Sequence, residues 1–264
     1  MVLVLMGWSE LGMLLALLPL GILAGLLSGL LGIGGGLIFS PLLLALGLPA
    51  HQALATSTLA IVPTTLAGSW AHLRSGQVPR AAIAAIASGA VLGGVLFSHS
   101  GKALPGWGLL ALQALLYAAL VVVVAPRSPD QPERPATAVV PRVRLALVGL
   151  IAGAASGLLG VGGGLVMVPL MVRALEMRVY LAIRLSTLAV FASACSASFG
   201  LLHDGRAQPL PALLLGGVAA LSARWSAVRL QRVSEARLVL LLKLLCGVLA
   251  LDAGRRALQL LLQG

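Results

Sequence analysis

Long apolar runs alternate along the chain with short loops that contain most of its charged residues. Uninterrupted apolar stretches such as 81–97 and 109–125 approach the length of about 20 residues at which a helix crosses a bilayer. A membrane β-barrel would instead alternate apolar and polar residues over segments of about ten residues. The pattern therefore predicts membrane helices, at 11–31, 37–47, 52–71, 81–98, 107–125, 144–160, 165–175, 180–202, 209–223 and 238–254.

Two of these ten segments are too short to cross a membrane. Segments 37–47 and 165–175 contain about a dozen residues each, and a run of glycines precedes both. We expect them to be re-entrant or broken half-helices that stop near the membrane midplane.

The two halves of the chain are copies of one unit. Residues 25–37 and 153–165 match at every Gly and Ser with an offset of 128. After one inserted residue the match continues at an offset of 129, and a fixed register over this length marks an internal repeat. Further matched positions are Pro41 with Pro169, 57–60 with 186–189, and Gly76 with Gly205.

A proline-rich, charged stretch separates the two copies and is predicted to be an exposed linker at 126–142. The first repeat then covers 1–125 and the second 143–264. Each repeat has five segments, and a re-entrant hairpin counts like two crossings, so the number of crossings per repeat stays odd. The second repeat is therefore expected to be inverted in the membrane, as in many secondary transporters. In an alternative arrangement, the first two segments fuse into one crossing of about 37 residues, which would make the repeats parallel.

The composition is that of an integral membrane protein. Apolar residues make up 59% and charged residues 9%, with a mean hydropathy of +1.06, whereas a soluble domain carries about 25% charged residues. This excludes a soluble enzyme. The net charge of +11 lies in short loops, so it indicates topology rather than nucleic-acid binding. With the N-terminus outside, 13 arginines lie inside and four Lys or Arg outside, which predicts that the linker is cytoplasmic.

The glycine runs form a candidate anion site. A glycine-rich turn that opens a helix leaves N–H groups unpaired at the positive end of the helix dipole, and glycine permits positive φ. Serines about two turns earlier supply hydroxyl donors. The alternative is that the small residues only let helices pack closely. The candidate substrate-binding residues here are Ser28, Gly32, Gly34, Gly35, Gly36, Ser156, Gly160, Gly162, Gly163 and Gly164.

Hydroxyl groups early in the third segment of each repeat form a second candidate site. They can donate to an oxyanion without burying a charge, or they can bond back to the carbonyl four residues earlier. Arg184 is the one base in such a segment, and either balances the charge of a substrate or extends to the inner interface. The hydroxyl candidates are Thr56, Ser57, Thr58, Ser186 and Thr187.

Groups that would support catalysis or cation transport are missing from the sequence. No carboxylate occurs between Glu10 and Asp130, and no nucleophile or metal-ligand motif is present. We therefore expect a protein that is not an enzyme and needs no cofactor or metal. Any proton coupling would use the proton of the substrate or a group at a span end, such as His72 or Glu176.

The paired Gly-Leu-Leu-Gly-Ile-Gly-Gly-Gly and Gly-Leu-Leu-Gly-Val-Gly-Gly-Gly motifs, with the proline and the Thr-Ser stretch that follow, resemble the sulfite exporter TauE/SafE family, also called the toluene sulfonate uptake permease family. The resemblance implies an all-α inner-membrane carrier for sulfur-containing anions such as sulfite, thiosulfate or organosulfonates. The glycine-rich turns of the family correspond to 32–36 and 160–164, and its Thr-Ser stretch corresponds to Thr56 and Ser57. In the second repeat Leu185 stands where the family has Thr.

These observations together predict a secondary transporter of two inverted repeats that binds a small oxyanion at the glycine turns. Two other classes stay open. One is a membrane scaffold or a subunit of a sulfur-metabolising membrane complex without transport of its own. The other is an intramembrane enzyme subunit that acts on a sulfur compound delivered by a partner.

Overall fold

The computed structural model describes residues 8–74, 78–98, 100, 103–123 and 141–263, and this part of the chain is helical without strands. Gly76 and nearly all of the expected linker lie outside the described residues. The α-helices are α1 Trp8–Leu31, α2 Gly36–Ala45, α3 Ala50–Arg74, α4 Arg80–Ser98, α5 Gly106–Val123, α6 Arg142–Leu159, α7 Gly164–Arg173, α8 Val179–His203, α9 Pro209–Val228 and α10 Glu235–Gln263.

Each of the ten apolar segments corresponds to one of these helices, which confirms an all-α integral membrane protein. Among the described residues, α4, α5, α6, α8 and α9 are long and apolar enough to cross a membrane. Several helices run past the predicted ends, and α10 is the longest extension. There the carboxylate of Asp252 accepts hydrogen bonds from Arg255 and Arg256, so the charged residues continue the helix instead of ending it.

The short second segment of each repeat is confirmed. Helices α2 and α7 have 10 residues each, about 15 Å in length, which is half the thickness of the hydrocarbon core. The turns 32–35 and 160–163 separate them from α1 and α6. The fused crossing of the alternative arrangement is therefore not a continuous helix, because the chain breaks at the glycines in both repeats.

The most extensive helix contacts join one repeat to the other. Helix α1 packs along α9, α4 along α6, α3 along both α8 and α9, and α5 along α10. In the sequence repeat α1 corresponds to α6 and α9 corresponds to α4, so the α1–α9 and α4–α6 contacts are equivalent. The helices of each repeat thus pack mainly against helices of the other repeat, around one shared interior.

The relative directions of these helices follow from which residues meet. In α1 and α9, Gly21 faces Val218 and Gly29 faces Ser226, so the two helices run parallel. Helices α4 and α6 are parallel as well. Helices α3 and α8 are antiparallel instead. Near one end Ala55 clusters with Leu201, and near the other the Ser69 hydroxyl donates to the Thr187 carbonyl at 3.4 Å.

Glycines allow the parallel pairs to approach at backbone distance. A Cβ at Gly25 would overlap the Ala219 carbonyl of α9, and a Cβ at Gly153 would overlap the Ala90 carbonyl of α4. At these spaced glycines the packing interpretation describes the structure, because close approach of the helices requires the absent side chain.

Two adjacent glycines of α9 provide a test of this packing. A Cβ at Gly216 would meet the Ala60 carbonyl and Pro63 of α3, whereas a Cβ at Gly217 would meet nothing within 4 Å. We expect Gly216→Ala to destabilise the protein by about 1–3 kcal/mol through overpacking. Gly217→Ala should leave the thermal unfolding temperature in detergent unchanged or raise it, since alanine favours the helix. Equal losses in both variants would contradict this packing.

Candidate functional site

The two glycine turns meet in the buried centre of the molecule. Gly36 packs against the backbone of Val161, and Gly164 packs against the backbone of Gly32. Residues 31–40 and 159–165 are all buried. The turns need glycine for their backbone conformation, since φ is 69° at Gly32, 77° at Gly34, 81° at Gly35, 62° at Gly160 and 71° at Gly162.

Serine hydroxyls exchanged between the repeats hold the turns. The Ser57 hydroxyl of α3 donates to the Gly160 carbonyl at 2.9 Å, and the Ser186 hydroxyl of α8 donates to the Gly32 carbonyl at 2.8 Å. Ser57 and Ser186 are equivalent positions of the sequence repeat, and so are Gly32 and Gly160. Each turn is therefore fixed by the third helix of the opposite repeat.

Polar groups without partners lie at the turns. Among the described residues, no backbone–backbone hydrogen bond has the N–H of Gly34, Gly35 or Gly36 as its donor. The same holds for Gly162 and Gly163, although Gly163 departs from the first repeat with a φ of 2°. Unpaired N–H groups at a helix start are the donors that an oxyanion accepts.

The two candidate serines before the turns are buried at equivalent positions. Ser28 is 2% exposed and Ser156 is fully buried. The Ser156 hydroxyl has no hydrogen-bond partner among the described residues. A buried hydroxyl without a partner is costly, so Ser156 is the hydroxyl of the candidate site that is most available to a ligand.

The threonine candidates use their hydroxyl groups within the protein. Thr58 donates to the Leu54 carbonyl at 3.0 Å, and Thr187 donates to the Ile183 carbonyl at 2.9 Å, each four residues back. This is the back-bonding alternative considered for the sequence. The Thr56 hydroxyl accepts a hydrogen bond from the backbone N–H of Gln208 at 3.0 Å and so joins α3 to the loop before α9.

Arg184 lies inside the bundle. Its side chain is buried in the first third of α8, only 8% of the residue being exposed. The antiparallel register of α3 and α8 places it opposite His72, which is also buried. This burial argues against extension of the side chain to the interface. No group of three or more His, Cys, Asp or Glu side chains in the described part of the chain is arranged to hold a metal ion.

Comparison with known proteins identifies the family. The model of the sulfite exporter TauE/SafE family matches residues 17–253. The chain belongs to the sulfite exporter TauE/SafE family. This membership confirms the resemblance seen in the paired glycine motifs and makes the chain a multi-pass membrane transporter protein.

Individual TauE/SafE relatives agree with this assignment. A probable membrane transporter protein of Xylella fastidiosa strain Temecula1 is 34% identical over 186 residues, 69% of either chain. Another of the same name, from Xylella fastidiosa strain 9a5c, is 34% identical over 174 residues, 64% of this chain and 67% of its own. Sulfite exporter TauE/SafE family protein 3 of Arabidopsis thaliana is 48% identical over 50 residues, 19% of this chain and 10% of that protein.

Sequence reasoning missed several buried hydroxyls of this TauE/SafE protein. Thr64 and Ser69 of α3 are buried, and so are their equivalents Ser193 and Ser198 of α8. The offset of 129 predicts this pairing when it is extended beyond residue 60. The Ser69 hydroxyl donates across the contact between these helices, which is here called the α3–α8 seam, whereas the Thr64 hydroxyl donates to the Gly216 carbonyl of α9 at 3.3 Å.

A buried polar trio in the first repeat was also missed. The Gln113 amide of α5 donates to the Ser40 hydroxyl at 2.9 Å and to the Tyr117 hydroxyl at 2.7 Å. The second repeat has Val168, Leu242 and Cys246 at the matching positions. No repeat signal reveals such a trio, because only one repeat contains it.

Glycines with positive φ in two different surroundings provide a test of the turns. Gly162 and Gly47 both have positive φ, but a Cβ at Gly162 would contact Ile33 and Ile61, whereas one at Gly47 would meet nothing within 4 Å. Alanine at either position costs about 1 kcal/mol for the backbone alone. We expect Gly162→Ala to lower the unfolding temperature clearly more than Gly47→Ala. Similar losses in the two variants would mean that the turns do not need their close contact.

Proposed function

We propose that this protein moves a small sulfur-containing anion, of the sulfite, thiosulfate or organosulfonate class, across the bacterial inner membrane by alternating access. The observation that carries the proposal is the meeting of two glycine turns at the contact between the repeats, where the N–H groups of Gly34–Gly36 donate no backbone hydrogen bond among the described residues. Family membership supports a transporter, and the family is named for sulfite export. Neutral donors suit such a substrate, because they bind an oxyanion without a second buried charge.

The directions of the helices support the inverted-repeat arrangement. Equivalent helices α3 and α8 contact one another and run antiparallel, as Ala55 with Leu201 and Ser69 with Thr187 indicate. A two-fold axis that relates two antiparallel helices is perpendicular to both of them. If these helices span the bilayer, the axis therefore lies in the membrane plane. Parallel repeats would require α3 and α8 to run in the same direction. We retain the repeat boundaries 1–125 and 143–264, with a cytoplasmic linker at 126–142.

The serine bonds suggest how binding and movement are linked. An anion that enters between the turns has to separate Gly36 from Val161. This separation would stretch the hydrogen bonds that the Ser57 and Ser186 hydroxyls donate to the turns. Rocking one repeat against the other then exposes the anion to alternate sides. Arg184 supplies a positive charge near this path. Any proton coupling is proposed to use the proton of the substrate or a group such as His72 or Glu176.

Flux from purified protein in liposomes tests this function. We expect uptake of radiolabelled sulfite that other sulfur oxyanions inhibit, measured with and without an imposed pH gradient. Arg184→Gln should weaken the apparent affinity for sulfite about tenfold or more, because a charge-assisted contact with the anion is lost. Absence of flux from the purified wild type, with recovery only when a further protein is added, would favour the scaffold or subunit alternative.

Ser156 separates binding from packing. Ser156→Ala removes a buried hydroxyl that has no hydrogen-bond partner in the described part of the chain, so we expect the unfolding temperature to stay level or rise. Anion affinity should fall by about 5- to 150-fold if that hydroxyl donates to the substrate. The matched control is Ser88→Ala on the exposed face of α4, where neither quantity should change. Unchanged affinity in Ser156→Ala would remove this serine from the site.

The proposed topology is testable with single cysteines in a background without Cys195 and Cys246. A cysteine at Ser128 in the linker should be shielded from an impermeant thiol reagent in intact cells. One at the exposed Gln259 near the end of α10 should react. The expectation rests on the charge distribution of the loops and on the odd number of crossings. Labelling of both positions, or of neither, would contradict the inverted arrangement.

A further inference from the structure

The two ends of the α3–α8 seam resemble each other in that each brings a histidine near an arginine. At one end the antiparallel register places His72 opposite Arg184. At the other end the same register places His51, early in α3, opposite the loop after α8 that contains Arg206. The repeat does not generate this resemblance, because position 51 corresponds to Tyr180 and position 206 to Gln77.

A pocket opens at the second end, where α3 and α5 begin and α6 and α8 end. Its polar lining consists of His51, Thr58, Arg206 and the backbone of Gly157 and Gly160, and apolar side chains complete its walls. Thr58 lies eight residues into α3, about 12 Å along the helix axis. The pocket, here called the Arg206 pocket, lies between the start of α3 and the second glycine turn, and its free space of about 10 Å³ is roughly that of one water molecule.

Arg206 is held in place with donor capacity to spare. Its Nη2 donates to the Ser98 carbonyl at the end of α4 and to the Asp204 carboxylate, both at 2.8 Å. Its Nε is buried and has no hydrogen-bond partner among the described residues. Only 17% of the Arg206 side chain is exposed, so the guanidinium is fixed at the pocket rather than extended into water.

We propose that the Arg206 pocket is a second binding site for a small oxyanion, at the end of the path opposite to Arg184. Because the free space holds only about one water molecule, the side chains of the pocket wall would have to move aside for the anion. The anion would then accept a hydrogen bond from the guanidinium and lie beside His51 and the Gly160 turn, with Asp204 limiting its affinity. A guanidinium is suited to this because it presents planar, permanently charged donors to an oxyanion. In the proposed orientation the pocket faces outward. Its place in a transport path rests on the proposed function, whereas binding itself does not.

A reporter cysteine at Leu158 measures occupancy of the pocket directly. Leu158 lines the pocket, is half-buried and belongs to neither set of binding residues. In a background free of other cysteines, we would follow its modification by an anionic thiosulfonate reagent in detergent. Sulfate and methanesulfonate serve as probes, since neither reacts with thiols or with the reagent. We expect both anions to slow the modification in a saturable manner.

Variants with opposite expected effects identify the residue responsible. Arg206→Gln should shift protection of the cysteine to anion concentrations about tenfold higher or abolish it, and Arg206→Lys should restore part of it. Asp204→Asn should shift protection to lower concentrations, because it removes the competing carboxylate. Arg255→Gln is the control, as Arg255 is an exposed arginine paired with an aspartate on α10. Unfolding temperatures measured beside these values show whether each variant folds.

The outcomes separate this inference from the proposed function. Protection that is absent in the wild type, or equal in wild type and folded Arg206→Gln, would overturn the Arg206 pocket as an anion site even where sulfite flux is intact. Protection that depends on Arg206 in a protein without flux would keep the site and reject the transport proposal. Loss of protection in both Arg206→Gln and Asp204→Asn would also overturn it, since a binding site requires opposite shifts.

Discussion

Backbone that leaves a helix inside a membrane protein has to find its hydrogen-bond partners within the protein, because lipid offers none. The breaks at 32–35 and 160–163 impose this constraint at the centre of the chain. Two serines of the opposite repeats supply donors to the carbonyls of Gly32 and Gly160, and the surrounding helices exclude lipid from both turns. Helices α3 and α8, which carry these serines, therefore lie next to the turns at the centre of the bundle.

The apolar pattern was sufficient to place the helices along the chain, because crossing a bilayer requires a minimum apolar length. Helix α4 was predicted at 81–98 and spans Arg80–Ser98. The glycine turns and their positive φ were also predictable from the residue type. Contacts between helices were not, since α1 and α9 are apolar on several sides and their glycines match many partners equally well. The Ser57 bond to Gly160 joins residues 103 positions apart, and no local pattern encodes that contact.

Arg206 illustrates the other kind of information that the sequence lacks. In the sequence it is one more loop arginine in a chain with a large positive charge. Its importance arises from tertiary structure, because the end of α4 brings the Ser98 carbonyl to its guanidinium and α3 brings His51 to the same pocket. Arg184 could be singled out from sequence because it interrupts an apolar helix. An arginine in a loop cannot be distinguished in this way from the other loop arginines.

The parallel pairing of α1 with α9 has a consequence for biosynthesis. Gly25 of α1 meets Ala219 of α9, a residue that the ribosome adds nearly two hundred positions later. At about 5–20 residues per second, α1 waits about 10–40 s in the membrane before its partner exists. During that interval its glycine face has only lipid or provisional neighbours, as in assembly from separately inserted helices. The first repeat therefore reaches its final packing only after the second has been inserted.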